Sequence, residues 1–226
     1  SDNFSFVTVE LDDKVNDALQ QRTLSIIRTS ETTGYYLDIF RSKSNGVNNF
    51  HDYIYHNYGE QLMLKSGGNP ITKGIGSTDQ TRYTSDLNTV WSYTTTSSAF
   101  IDFPGWQYFN NLNASDQTTQ SITGQFDVDK IGASMYFKIP PGVNRDYTAC
   151  IAPPILETET DYKAEQSDPT KNDSAQVLVI RQYGEAWNRP FILAFEPSKS
   201  ASTIQSIDKF DTQPKNNPKP PKQFRD

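Results

Sequence analysis

Both histidines of the 226-residue chain lie in one short segment, Phe50–Asn57, together with two tyrosines and an aspartate. An imidazole and a phenol within hydrogen-bond reach can exchange a proton, so the residue types suit proton abstraction. In a strand, however, successive side chains point to opposite faces. The predicted faces are His51, Tyr53, Tyr55 and Asn57 on one side, and Phe50, Asp52, Ile54 and His56 on the other. The two histidines therefore belong to different faces of a sheet.

A metal site built on this pair is not expected. The chain has one cysteine and no third histidine, so it lacks the remaining ligands of an imidazole- or thiolate-rich centre. For each histidine, a packed side chain bonded to backbone or carboxylate is the alternative to a chemical role. We predict no metal, no cofactor and no catalytic residue in this chain, and we keep His51 and Tyr53 as candidates for touching a substrate.

Three arginines, Arg22, Arg28 and Arg41, fall on two successive predicted strands. Guanidinium groups form paired hydrogen bonds with carboxylate and sulfate, so an arginine cluster for an anionic ligand is one interpretation. A structural ion pair with Asp38 or Glu31 is the other, and we expect it. Arg41 is retained as a substrate-binding candidate.

Aromatic residues crowd around a Pro-Gly turn between Phe100 and Phe109. Exposed Trp106 and Tyr108 would stack on sugar rings, whereas buried ones would anchor a core. Trp91 and Tyr93, two residues apart, present the same two alternatives. Trp106 and Tyr108 join the list of substrate-binding candidates.

The acidic balance of the chain limits its partners. A net charge of −6 and a pI near 5.0 argue against nucleic acid and anionic membranes, because phosphate binding needs a basic patch. No apolar run is long enough to cross a bilayer. An acidic glycan held by a few arginines remains compatible with the charge. The lone Cys150, between Ala149 and Ile151, is predicted to be a small buried strand residue.

Short runs of β-branched and aromatic residues recur between Gly, Pro, Asn and Asp clusters, and helical periodicity is hard to find. The predicted strands are Phe4–Leu11, Arg22–Thr29, Tyr35–Arg41, Phe50–Tyr58, Gln61–Leu64, Thr89–Tyr93, Ser98–Phe103, Gln120–Val128, Ser134–Ile139, Asp146–Ile151, Ala175–Gln182, Arg189–Phe195 and Ser202–Phe210. Parallel sheets would require crossover helices. The chain is therefore predicted to be all-β, a layered antiparallel β-sandwich with long sheets.

The domain organisation follows from the spacing of these strands. Short turns at 31–34, 140–144 and 182–188 suit antiparallel neighbours, and the polar stretches 65–86 and 157–173 are predicted to be long surface loops. We expect one β-sandwich domain over residues 1–210. From Asp211 the chain is rich in proline and lysine, so residues 211–226 are predicted to form an extended tail.

Three blocks in order carry a resemblance to a known family. Arg22–Ser30 (RTLSIIRTS), Gly34–Arg41 (GYYLDIFR) and His51–His56 (HDYIYH) together resemble the β-sheet region that follows the catalytic helical toroid of heparinase II/III-like polysaccharide lyases. Val177–Gly184 and Pro190–Pro197 look like the final strands of that family. The resemblance spans most of the chain and depends on the order and spacing of the blocks.

The resemblance implies a function as well as a fold. Family members cleave uronic-acid polysaccharides by β-elimination: the uronate carboxylate is neutralised, a base removes the C5 proton, and an acid protonates the departing oxygen. Their toroid and a His-rich segment supply the reactive groups and, in some members, zinc ligands, and neither part matches this chain. It would thus form one wall of the cleft for an acidic polysaccharide, with a missing α/α-toroid as partner, in the periplasm or outside the cell.

Two other functions fit the same residues. The chain could be a non-catalytic carbohydrate-binding or cell-surface β-sandwich, in which exposed aromatics bind sugar, or a plain structural module of an assembly. A Trp91 and Trp106 platform open to solvent would favour carbohydrate binding alone. A large apolar face left open would favour the lyase domain, because the interface with a missing domain should be visible.

Overall fold

The computed structural model of the chain describes residues 3–14, 17–48, 50–72, 110–152 and 175–208. Twelve β-strands cross these ranges. They are β1 (Phe4–Asp13), β2 (Ala18–Arg28), β3 (Gly34–Ser44), β4 (Phe50–Tyr58), β5 (Gln61–Ser66), β6 (Asn69–Pro70), β7 (Asn110–Ala114), β8 (Ile122–Val128), β9 (Ala133–Ile139), β10 (Arg145–Ala152), β11 (Ala175–Tyr183) and β12 (Phe191–Ser198). A single-turn 3-10 helix, Asp129–Ile131, joins β8 to β9.

The strands form two antiparallel sheets of unequal width. The large sheet has eight strands in the order β1-β2-β3-β12-β9-β8-β5-β6, and the small sheet has four in the order β4-β11-β10-β7. Every strand pair in both sheets is antiparallel. The prediction of an all-β antiparallel sandwich is confirmed.

The core lies between the two sheets and is built by period-2 alternation. Tyr53, Leu178 and Ile180 of the small sheet pack against the large one. Facing them are buried residues from β8, β9 and β12: Ile122, Phe126, Phe137, Phe191, Leu193 and Phe195. Gly124 makes room for this layer, because a Cβ on it would lie 2.0 Å from Cζ of Phe137. Aromatic side chains therefore form a large part of the inter-sheet layer.

Most predicted strands are present with longer ends. β4 has the predicted bounds, and the turn at 140–144 falls between strands. The turns predicted at 31–34 and 182–188 overlap the first residue of β3 and the last two residues of β11. The described part of the stretch predicted as a first long loop instead contains the end of β5 and the short β6. The structure adds a strand, β7, that the sequence pattern did not indicate. The expected strands Thr89–Tyr93 and Ser98–Phe103, the second loop and the 211–226 tail lie outside the described residues.

The last predicted strand, Ser202–Phe210, is wrong over its described part, because residues 202–208 are not in a strand. The cause is the carboxylate of Glu196 on β12. It accepts hydrogen bonds from the backbone N–H groups of Thr203 and Ile204 and from the hydroxyls of Ser202 and Thr203. A side chain thus takes N–H groups that a sheet ladder would need.

Candidate functional site

A charged cluster joins the two sheets where β4 faces β3. Asp38 of β3 is fully buried and accepts hydrogen bonds from two nitrogen atoms of Arg22 on β2. Nε lies 3.0 Å from Oδ1, and Nη2 lies 2.5 Å from Oδ2. Tyr53 of β4 donates its phenol proton to the same carboxylate over 2.7 Å. The hydrogen bond to Asp38 raises the pKa of Arg22 above its ordinary value. The ion pair predicted between one of the arginines and Asp38 is confirmed.

A pair of tyrosines extends this cluster along the inter-sheet space. The hydroxyls of Tyr36 on β3 and Tyr55 on β4 lie 2.6 Å apart, and both rings stack on Phe195. Burial raises the phenol pKa of Tyr36, and the hydrogen bond with Tyr55 raises it further. The pKa of Tyr55 is also raised, again mainly by burial. Both phenols are therefore neutral at physiological pH.

The chemistry available to this cluster is hydrogen-bond donation. Burial raises the pKa of Tyr53 far above its ordinary value, with Asp38 adding to the effect, so its phenol does not act as a base near neutrality. The two partners of the ion pair differ in solvent exposure: the Arg22 side chain is 44% exposed, whereas the Asp38 side chain is 1% exposed. The cluster thus presents a guanidinium to solvent while its carboxylate and phenol stay inside.

His51 is locked into a separate network on the same inner face as Tyr53. Its Nε2 lies 2.9 Å from Oδ1 of Asn48, and its Nδ1 lies 2.8 Å from the hydroxyl of Ser42. Because a carbonyl oxygen can only accept, Nε2 carries the proton and Nδ1 accepts from Ser42. Burial lowers the pKa of His51 below 6.5, against the influence of Asp52. The imidazole is therefore neutral, with both nitrogens engaged.

Arg41 lies on the outer face of the large sheet. Its Nη1 donates to the backbone carbonyl of Trp187, in the turn between β11 and β12. Lys43, two residues along the same face, holds its ammonium 4.8 Å from the centre of the Trp187 ring. The backbone of the neighbouring Ala186 pairs with Ser42 in both directions, which fixes the turn against β3. Two cations and a half-buried indole therefore meet on one surface.

The other face of β4 is occupied by an ion pair. Asp52 accepts two hydrogen bonds of 2.8 Å from Arg181, its direct neighbour on β11. The guanidinium also lies 3.9 Å from the centre of the Phe50 ring. The predicted division of the strand into two faces is confirmed, since His51, Tyr53 and Tyr55 bond within the inter-sheet space and Asp52 lies opposite them.

The candidate residues are thus only partly brought together. His51 and Tyr53 share the inner face, and Arg41 lies on the outer face of the other sheet. Trp106 and Tyr108, with Trp91 and Tyr93, lie outside the described residues, and contact of any candidate with a substrate stays a prediction. Cys150 is buried in β10, as predicted, and burial raises its thiol pKa to about 12.

Sequence reasoning missed Tyr36 and Trp187 as members of these clusters. Tyr36 had a usable signal, because it shares the period-2 face of β3 with Asp38 and Phe40. Trp187 had none, since its position depends on a turn folding back beside β3. A cleft of about 460 Å³ also went unpredicted; its lining includes Glu60, Asn111, Asn113 and Gln176.

Within the five described ranges, no group of three His, Cys, Asp or Glu side chains is placed to hold a metal ion. Of the same residues, none belongs to a helix with the length and apolar character to cross a bilayer.

The chain is similar to an endo-acting ulvan lyase of Formosa agariphila, with 40% identity over 208 residues. The alignment covers 92% of this chain but 23% of the relative. The chain therefore spans less than a quarter of the length of the curated relative it matches. No protein-family model matches the chain.

Proposed function

We propose that the chain is the β-sandwich part of a polysaccharide lyase that cleaves uronic-acid polysaccharides by β-elimination. In this proposal it shapes the substrate cleft and is not catalytic alone. The observation that carries the proposal is the 40% identity to an ulvan lyase over nearly the whole chain. Because less than a quarter of that enzyme is covered, the reactive groups are assigned to the remainder. We further propose that this remainder includes the α/α-toroid of heparinase II/III-like lyases.

The protonation of the inter-sheet cluster supports a non-catalytic role. β-Elimination needs a base for the C5 proton, and the phenols of Tyr36, Tyr53 and Tyr55 have raised pKa values. His51 has a lowered pKa but donates through one nitrogen and accepts through the other. None of these four groups is free to take a proton from a sugar while its present partners remain.

The outer surface formed by Arg41, Lys43 and Trp187 is the best substrate contact among the described residues. Two cations suit a uronate carboxylate, and an indole suits the C–H face of a sugar ring. Acting on an extracellular polymer would place the protein outside the cytoplasm, and we propose export on that ground.

The first experiment mixes the purified chain with ulvan and follows the ultraviolet absorbance of unsaturated products. We expect a flat trace. In parallel, the aligned segment of the Formosa agariphila enzyme is replaced by this chain, and we expect that chimera to cleave ulvan. Turnover by the isolated chain would overturn the non-catalytic role. A folded chimera without cleavage would overturn the assignment to a lyase.

A binding experiment tests the proposed contact surface separately. Affinity electrophoresis in ulvan gels should show retardation of the chain, and Lys43→Ala should weaken binding about tenfold, equivalent to about 1.4 kcal/mol. Lys199→Ala, a change at an exposed lysine after β12, is the matched control and should bind as the parent does. If both variants are retarded equally, Lys43 and its neighbours do not contact the substrate.

A further inference from the structure

The β1–β2 hairpin projects from the large sheet beyond the small one. Among the described residues, eight strands stand against four. Strands are spaced by about 4.8 Å, so part of the large sheet has no opposite layer within the described ranges. The inner face of the hairpin is consequently open although it carries five large apolar side chains beside Arg22. Its exposed fractions are Val7 54%, Val9 61%, Leu11 55%, Leu24 38% and Ile26 67%.

The outer face and the free edge of the hairpin are open as well. Phe4 and Phe6 are 47% and 63% exposed, with their ring centres 5.7 Å apart on the opposite face from Val7. Among the described residues, β1 pairs with β2 alone. Its outer edge therefore presents ten residues of backbone without the proline or bulge that natural edge strands use against association. Three sides of one hairpin are thus uncovered.

We propose that the β1–β2 hairpin is the surface on which further β-strands of a longer lyase polypeptide dock. One such strand continues the large sheet at the edge of β1, and others continue the small sheet over Val7, Val9 and Ile26. The inference rests on the proposed function, because it takes the remainder of the lyase as the occupant.

The geometry favours strands of a larger body over a second copy of this chain. Edge-to-edge pairing of two β1 strands would complete the hydrogen-bond ladder but leave both apolar faces in water. A layered neighbour covers edge and faces together, which is how sandwich sheets bury their surfaces. The rest of the lyase can supply these strands, because more than three quarters of the relative lies outside the alignment.

The charge along β1 specifies the chemistry of the docking strand. Phe4–Val9 is uncharged, whereas Glu10, Asp12 and Asp13 place three carboxylates at the other end. Opposite charges across a strand pair stabilise it and like charges destabilise it. The partner strand should therefore be apolar opposite the first half of β1 and free of acidic residues opposite the second, where Asp12 is already bonded to Lys14.

The test compares the same substitutions in two contexts. Val7→Lys with Val9→Lys places two charges on the inner face, and Val47→Lys, at a valine that is 79% exposed after β3, is the matched control. In the isolated chain both changes should leave the melting temperature unchanged. In the chimera with the Formosa agariphila enzyme, the hairpin lysines should lower the melting temperature by several degrees, because lysines buried in an interface lose hydration. The control should not.

The outcomes separate the two proposals. If the hairpin variant has the same melting temperature as the parent chimera, the docking proposal is overturned, whether or not the chimera cleaves ulvan. Loss of cleavage with intact docking would instead count against the proposed function. If the chimera does not fold, the same lysines in the corresponding hairpin of the unaltered enzyme give the readout. A concentration-dependent dimer of the isolated chain that the hairpin lysines dissociate would assign the surface to a second copy and overturn the proposal.

Discussion

The phenol of Tyr53 in the small sheet donates a 2.7 Å hydrogen bond to Asp38 in the large sheet. The acceptor is a buried carboxylate that also pairs with Arg22. Tyr53→Phe keeps the ring among Phe40 and Phe191 and removes only the donor. A hydrogen bond to a charged group contributes about 1.5–3 kcal/mol, so the free energy of unfolding should fall by about that amount in urea denaturation. Tyr58→Phe, at a tyrosine 39% exposed, should stay within about 0.5 kcal/mol of the parent; equal effects would contradict the inter-sheet role.

Glu196 is expected to control the order of residues 202–208. Glu196→Gln should expose this segment to limited proteolysis, because an amide is a weaker acceptor than the carboxylate for the groups of Ser202, Thr203 and Ile204. Burial alone would raise the pKa of Glu196, but these hydrogen bonds outweigh it and lower the pKa below 4.5. A carboxyl group whose pKa is lower in the folded chain than in the unfolded chain stabilises the fold at pH values above its unfolded pKa. This stabilisation is lost as the pH falls through the folded pKa. Acid should therefore release the segment in the parent. Glu31→Gln is the control, and protection of the segment in the Glu196 variant would sink the idea.

His51 is expected to titrate below 6.5 as the Nε2–H tautomer. Two-dimensional nitrogen NMR separates the tautomers, and His56→Gln assigns the signals because the chain has only two histidines. The unfolded chain binds a proton at a higher pH than the folded one, so this residue lowers stability as pH falls through 6.5. A midpoint above 6.5, or a proton on Nδ1, would refute the network with Ser42 and Asn48.

Gly124 is expected to tolerate no side chain. Gly124→Ala would place Cβ 2.0 Å from the ring of Phe137, which is 1% exposed and cannot swing away. Overpacking of this kind costs about 1–3 kcal/mol. Gly46→Ala, where the nearest atom is 3.5 Å away, should leave the melting temperature unchanged. If the two variants have the same melting temperature, the Phe137 ring has more freedom to move than its packing indicates.

The strand content was predictable because it depends on local alternation. The segment Phe50–Tyr58 gave the bounds of β4 and the two faces that separate His51 from Asp52. The ion pair of Arg22 and Asp38 could also be predicted, since the two residues lie on adjacent predicted strands. Local patterns could not show that Glu196 takes the N–H groups of Thr203 and Ile204, or that the turn at Trp187 folds back beside β3. Those contacts depend on tertiary placement, which alternation does not encode.

The position of β12 has a consequence for how the protein is made. This strand is the last in the described sequence, yet it lies between β3 and β9 at the middle of the large sheet. On the ribosome, the large sheet can form only two separate pieces until β12 has emerged: β1 to β3, and β5, β6, β8 and β9. Such long-range pairing is slow to fold and leaves strand edges open to wrong partners meanwhile. A chaperone that protects β3 and β9 during synthesis would therefore be expected to raise the yield of native protein.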